Sequence, residues 1–375
     1  MKKVFVIIGV IAVVAIGVFV YQNKAGSKYN AVRIGAVLPL TGNMAPYGLS
    51  LKRGINIAVE EVNASGGING RRLEVVYEDS QGDPRTGVSA FNKLHLIDRV
   101  PLVLGSLTGV IMAIRPEADR NSVVLINTSA ISPLINDAAE EFLFNLVVNG
   151  ESEAMFLANE LHNRAPNERI AIFYGNTSAN VYTANVLTKS LDTLGHTNHF
   201  RETYEIGATD FRLQLDRIRR SGARNGFMLG FGNHEYAEIL RQSRELNMDI
   251  QWFSTSSVES RETIELAGEA ANGIIYSYPR IINNTLYSNF QTKYRERFET
   301  VADLLTVSSY DAVLLIAEVM NRFGITGVDI QNGLRTIDDF YGIFGRFKLS
   351  GTGRQFVDRE LLLKTVENGQ FRISE

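Results

Sequence analysis

His234-Glu235-Tyr236-Ala237-Glu238 is the stretch nearest to a metal-assisted hydrolase, because a helical histidine and a residue four positions later share one face. A second histidine would be needed at that later position, and Glu238 stands there instead. A solvated first helical turn, with acids near its positive end, accounts for the same residues. An enzyme built on His234, Glu235 and Glu238 is therefore the weakest functional reading. His95, His162, His196 and His199 lack ligand spacing, no Gly-x-Ser-x-Gly elbow occurs, and no P-loop ends in Gly-Lys-Ser or Gly-Lys-Thr. With 0 cysteines there is no disulfide, thiolate metal site, thiol nucleophile or lipobox anchor. The expectation is a protein that is not an enzyme and uses no metal and no cofactor.

What remains is binding chemistry. Val103-Leu104-Gly105-Ser106-Leu107-Thr108-Gly109 reads as a strand ending in small and hydroxyl residues before a helix that begins near Val110. Such a loop aims backbone N–H groups at the C-terminal edge of a sheet, where open α/β sheets bind ligands and a helix N-terminus favours an anion. Val124-Leu125-Ile126-Asn127-Thr128-Ser129-Ala130 repeats the arrangement, and two such loops from neighbouring strands can converge on one small ligand. Gly66-Gly67-Ile68-Asn69-Gly70 follows a helix and leads into a strand, the reverse of a dinucleotide loop, so it reads as a helix stop and turn.

These loops need a frame of alternating elements. From Val32 onward, short apolar runs end in Gly- or Ser-rich turns and lead into amphipathic stretches, the rhythm of βαβ units and parallel sheets. The first unit is a strand over Val32 to Pro39, a loop through Tyr47 and a helix from Gly48 to Asn63; Leu73 to Tyr77 restarts a strand. Further strands are expected at Val100 to Leu104, Val123 to Ile126, Arg169 to Tyr174, Gly226 to Gly230, Gln251 to Ser254 and Gly273 to Ser277, with a helix at Asp210 to Arg220. Tyr341 to Phe371 reads as β-rich, with a strand at Gly345 to Leu349 and a turn at Gly351 to Gly353. At 375 residues about two domains are expected, yet no Pro- or Ser-rich linker separates them, so the chain must cross between lobes more than once.

Lys2 and Lys3 precede an uncharged apolar run from Val4 to Val20, which is an export or anchoring signal. Small residues at Ala25-Gly26-Ser27 allow cleavage after Ser27; retention as an anchor is slightly favoured, and either outcome places the body beyond the cytoplasmic membrane. The net charge of −3, without a basic block, gives no footprint for nucleic acid.

The segments Ile34 to Gly42, Tyr47-Gly48, Ala58 to Gly70 and Tyr77 to Pro84, supported by Thr209-Asp210-Phe211, Ile239 to Arg244, Ser309 to Ala312 and Gly345 to Gly353, carry a resemblance. The chain resembles periplasmic binding proteins of the leucine/isoleucine/valine-binding type, the substrate-binding components of branched-chain amino acid ABC transporters. The resemblance implies an α/β fold of two Rossmann-like lobes with parallel sheets, joined by three hinge crossings and preceded by the N-terminal hydrophobic helix. Residues 1–28 would be the signal or anchor, 30–149 plus 279–345 one lobe, and 150–278 plus 346–375 the other. It also implies a monomer in the periplasm, or on the outer face of the membrane, that closes on a small ligand and delivers it to ABC permease subunits. A sensor signalling through a separate membrane partner is the alternative.

Carried over by position, the resemblance implies a ligand site at Tyr47, Thr108, Gly109, Ser129, Ala130, Ile131, Tyr182, Ser256 and Tyr310. Gly109 and Ile131 stand where the family uses hydroxyl side chains for a carboxylate. Ser256 stands where amino-acid binders carry an acid for the ligand ammonium, with Glu259 or Asp311 as substitutes. A buried ammonium without a counter-charge is costly, so the expected ligand has a carboxylate or amide end and no α-ammonium.

Overall fold

The computed structural model describes residues 31–132, 135, 141–147, 150–230, 232–348 and 359–374. The expected signal or anchor at 1–28 and the turn at Gly351 to Gly353 lie outside these residues.

Five parallel strands make the first sheet: β1 (Val32–Leu38), β2 (Leu73–Asp79), β3 (Leu102–Gly105), β4 (Val124–Asn127) and β5 (Leu143–Asn145), in the order β2-β1-β3-β4-β5. Val32 pairs with Leu73 and Gly35 with Val103, so β1 has its two sequence successors on opposite sides. That reversal of strand order opens a crevice beyond the C-terminal ends of β1 and β3. Strands covered on both faces read as continuous apolar runs rather than alternating ones, and β3 and β4 are buried at every position. Ile34, Ala36, Leu104 and Ile126 face one core layer, and Val37, Val103 and Leu125 the other.

The helices of this lobe are α1 (Ala45–Ala64), α2 (Pro84–Leu96) and α3 (Thr108–Arg120), followed much later by α9 (Asn284–Phe298), α10 (Leu304–Phe323) and α11 (Gly327–Thr336). Helix α10 is apolar and long enough to span a membrane, but 72% of that stretch is buried, chiefly against α1 and the first sheet.

Between these two groups of helices come α4 (Gly150–Arg164), β6 (Ile170–Gly175), α5 (Ser178–Thr193), β7 (His199–Tyr204), α6 (Arg212–Ser221), β8 (Asn225–Leu229), α7 (Asn233–Glu245), β9 (Gln251–Ser254), α8 (Arg261–Ala267) and β10 (Ile275–Pro279). Near the C-terminus lie a small hairpin, β11 (Tyr341–Gly342) and β12 (Gly345–Arg346), then β13 (Leu361–Glu367) and β14 (Gln370–Ile373). The second sheet runs β14-β13-β10-β9-β8-β6-β7, and its order reverses at β6. The chain passes between the sheets three times: after β5, after β10, and between β12 and β13.

Two details differ from expectation. Of the strand expected at Gly345 to Leu349, Leu349 lies outside the described residues, and the described part pairs over two residues with the Tyr341-Gly342 arm of a tight hairpin. The second sheet is also not wholly parallel, since β13 runs antiparallel to β10 and turns at once into β14.

Candidate functional site

At the C-terminal edge of the first sheet, Gly105 pairs with Asn127, which sets the loops after β3 and β4 side by side. Asn127 organises the second loop. Its Oδ1 accepts from the N–H groups of Ser129 (3.2 Å) and Ala130 (2.8 Å), and its Nδ2 donates to the Ala130 carbonyl and to Asn145 Oδ1. This Asx turn rigidifies the loop. It also occupies the Ser129 and Ala130 amides expected to cradle a carboxylate.

Two hydroxyls take over that role as candidates. Ser106 is fully buried and Ser129 is 7% exposed, and neither Oγ has a hydrogen-bond partner. Buried polar atoms are nearly always paired, so two orphaned hydroxyls on adjacent strand ends mark a place where a polar guest completes the set. Beside them α3 begins at Thr108 with no side-chain cap: Leu107 at the N-cap adopts φ 65° and supplies no acceptor. The first-turn N–H groups of such a helix have no partner within it and favour an anion. Gly109 is exposed on the α2 side, where an added Cβ would lie 3.3 Å from Pro84 Cγ.

Tyr47 reaches the same place. Its hydroxyl donates to the Ser129 carbonyl at 3.3 Å, and burial pushes that hydroxyl up to about 12. The Ile131 carbonyl accepts from Gly150 N–H at 2.9 Å, tying the β4 loop to the first crossing. A Cβ on Gly150 would sit 2.5 Å from that carbonyl oxygen, so the crossing depends on glycine there. The structure thus gathers Tyr47, Thr108, Ser129, Ala130 and Ile131 at one sheet edge.

Tyr310 is not at that edge. It is 1% exposed within α10, its ring 4.3 Å from Phe290 and its hydroxyl bonded to Glu61 at 2.7 Å, so it is a core residue of the first lobe rather than a cleft wall. Tyr182 stands half-buried near the start of α5, beyond the C-terminal end of β6.

Ser256 follows β9 at the corresponding edge of the second sheet, and its role is internal. Its N–H and Oγ both donate to Glu153 (2.7 and 2.6 Å), which also accepts from Ser277 Oγ at 2.7 Å. Glu153 is fully buried, and burial holds its carboxyl above the usual range despite these donors. The two substitutes for a counter-charge are engaged as well: Glu259 binds Lys364 and the Tyr276 hydroxyl, and Asp311 accepts from Ile343 N–H at 2.7 Å.

Glu153→Ala should strand three buried donors and cost roughly 2–4 kcal/mol in urea unfolding, whereas Glu153→Gln should fold. The raised carboxyl means the folded chain holds its proton more tightly than the unfolded one. Its contribution to stability is therefore full at low pH and is lost as pH rises through the carboxylate range. Glu153→Gln should gain stability relative to the parent as pH rises upward from the ordinary carboxylate range; a difference in melting temperature that does not change with pH would refute this.

The hydrolase reading fails on contacts. Glu235 is buried, accepting from the Tyr204 hydroxyl (2.8 Å) and Gly207 N–H (2.9 Å), and Glu238 pairs with Arg241 at 2.8 Å. Among the described residues no three His, Asp or Glu side chains converge to hold a metal. Ser106 and Asn127, which the structure adds as candidates, are not among the site residues expected from the sequence. The available signal was a small hydroxyl directly after a strand, and an asparagine directly before Thr-Ser.

A profile of the periplasmic binding protein family matches residues 31–370. The chain is similar to Leu/Ile/Val-binding protein homolog 2 of Brucella abortus (strain 2308), 25% identical over 356 residues that cover 94% of this chain and 93% of that one. Its fold is similar to the leucine-binding protein LivK of Thermotoga maritima MSB8 (TM-score 0.83, 21% identity, 92% and 98% of the two chains). It is also similar to a solute-binding protein of an ABC transporter from R. palustris in complex with benzoate (TM-score 0.81, 18% identity, 92% and 95%).

Proposed function

The chain belongs to the periplasmic binding protein family, whose members are solute-binding proteins rather than enzymes, and from that premise we propose that it captures a small organic carboxylate lacking an α-ammonium. Capture is for delivery to ABC permease subunits on the outer side of the cytoplasmic membrane. The observation that carries the ligand chemistry is the pair of buried, unpartnered hydroxyls of Ser106 and Ser129 beside the uncapped start of α3. They donate to the carboxylate, with the first-turn N–H groups of α3 behind them. Tyr47 walls the first lobe's side and Tyr182 the second's.

The second half of the reading rests on charge. Ser256, Glu153, Glu259 and Asp311 are all committed to internal bonds, so an ammonium enclosed by the two lobes would lack a counter-charge. The relatives divide along the same line, one binding leucine and one benzoate. Closure of the lobes over the ligand follows from its contacting both strand edges, since a ligand shifts a hinge only through differential affinity for the closed state.

A thermal-shift panel of leucine, isoleucine, valine, 4-methylpentanoate and benzoate tests this. An acid present at about 100 times its dissociation constant adds roughly 2.7 kcal/mol to native stability. The deaminated acids should raise the melting temperature and the three amino acids should not; the reverse pattern would reject the reading.

A further inference from the structure

Two histidines meet at the far end of the second lobe, away from the strand edge that holds Ser256. We propose that His162 and His196 form a binding site for a divalent transition-metal ion of the zinc, nickel and copper class. His162 lies in the last turn of α4, just before β6, and His196 lies between α5 and β7. Strands β6 and β7 are neighbours, with Ile170 opposite His199, so the fold brings the two rings together at the N-terminal edge of the sheet. Their centroids are 5.9 Å apart, with planes inclined at 80°.

The nitrogens are what make this contact a site. His196 is 3% exposed and its Nε2 lies 2.9 Å from the Glu168 carbonyl oxygen. A carbonyl only accepts, so Nε2 carries the hydrogen and Nδ1 presents a lone pair. Nδ1 of His196 and Nδ1 of His162 are both buried with no hydrogen-bond partner. A metal ion satisfies both, and the bond from Nε2–H to a backbone carbonyl is the outer contact that orients ligating histidines.

Spacing agrees. With metal–nitrogen bonds of about 2.0–2.1 Å and about 1.1 Å from nitrogen to ring centre, two imidazoles on one ion have centroids at most about 6.4 Å apart. That limit is for a linear arrangement; the separation of 5.9 Å corresponds to a nitrogen–metal–nitrogen angle of about 134°, and a tetrahedral angle brings the rings about 0.7 Å closer. The nearby Glu168 carboxylate is held by Asn225 at 3.0 Å and His199 is paired with Asp192 at 3.1 Å, so neither supplies a third ligand. Water completes the coordination, which makes the site open and exchangeable rather than a closed structural one. His162 is half-buried as a residue although its Nδ1 is covered, so a turn of its ring admits the ion from solvent.

Titration calorimetry of Zn2+ and Ni2+ into the untagged full-length protein at pH 7.5 tests the site, with His162→Gln, His196→Gln and, as control, His234→Gln. The expected result is one ion per chain for the parent and the control, and at least a tenfold loss of affinity in each of the other two variants. Zn2+ should also raise the melting temperature of the parent but not of those variants. Circular dichroism separates loss of the site from loss of the fold, and His162→Phe provides a second variant that keeps an apolar ring there. No binding by the parent, or binding unchanged in correctly folded His162 and His196 variants, would overturn the proposal and leave two packed rings with an ordered water.

Discussion

Ser106→Ala should weaken binding of the tightest carboxylate in the panel by about 5- to 100-fold, a loss of about 1–3 kcal/mol, without destabilising the unliganded protein. The two halves follow from one fact. The Ser106 hydroxyl is fully buried and has no partner, so removing it costs the empty protein nothing and relieves an unsatisfied group. In the proposed complex the same hydroxyl would donate to a charged oxygen, where hydrogen bonds are strongest. Ser129→Ala should act alike and slightly less, since Ser129 retains 7% exposure. Calorimetric titration with parallel thermal unfolding separates the two terms; a fall in melting temperature with unchanged affinity would make these serines structural.

Gly54→Ala should be severely destabilising for a single added methyl, at more than about 3 kcal/mol. A Cβ at Gly54 would stand 2.1 Å from the Thr306 carbonyl oxygen and 2.3 Å from Ser309 Oγ, which bonds Leu51 O at 2.9 Å. These contacts fix the approach of α1 to α10. A backbone oxygen has no rotamer to escape into, so the helices must separate and open the core layer that holds Ile55, Val313 and Ile316. Urea unfolding measures the cost, and a Gly54→Ala protein as stable as its parent would show that the helices are not in contact there.

The legible features of the sequence were those written locally. A short apolar run, a small-residue turn and an amphipathic helix announce a βα unit without help from elsewhere, and the loops after β3 and β4 were recognisable on that basis. Side-chain pairing across the fold was not. Glu153 meets Ser256 from 103 residues away, so nothing near Ser256 signals that its hydroxyl is engaged. Tyr310 enters the expected site only by its position in the resemblance, and α10 is enclosed so fully that Ser309, Tyr310 and Asp311 are all buried. The hairpin at Tyr341 to Arg346 gains one further bond, from Phe347 N–H to the Phe340 carbonyl opposite it, and among the described residues no third strand pairs with it.

The proposed carboxylate site has no place for an ammonium, and one matched pair of ligands isolates that feature. Leucine and 4-methylpentanoate share a carboxylate and an isobutyl group and differ in the α-ammonium, so titration calorimetry with each at the same pH reads the free energy of that one charge in the cleft. With Ser256 committed to Glu153, Glu259 to Lys364 and Asp311 to the Ile343 amide, 4-methylpentanoate should bind at least about tenfold more tightly than leucine. Tighter binding of leucine would contradict the account and require one of those carboxylates to leave its internal partners for the ligand.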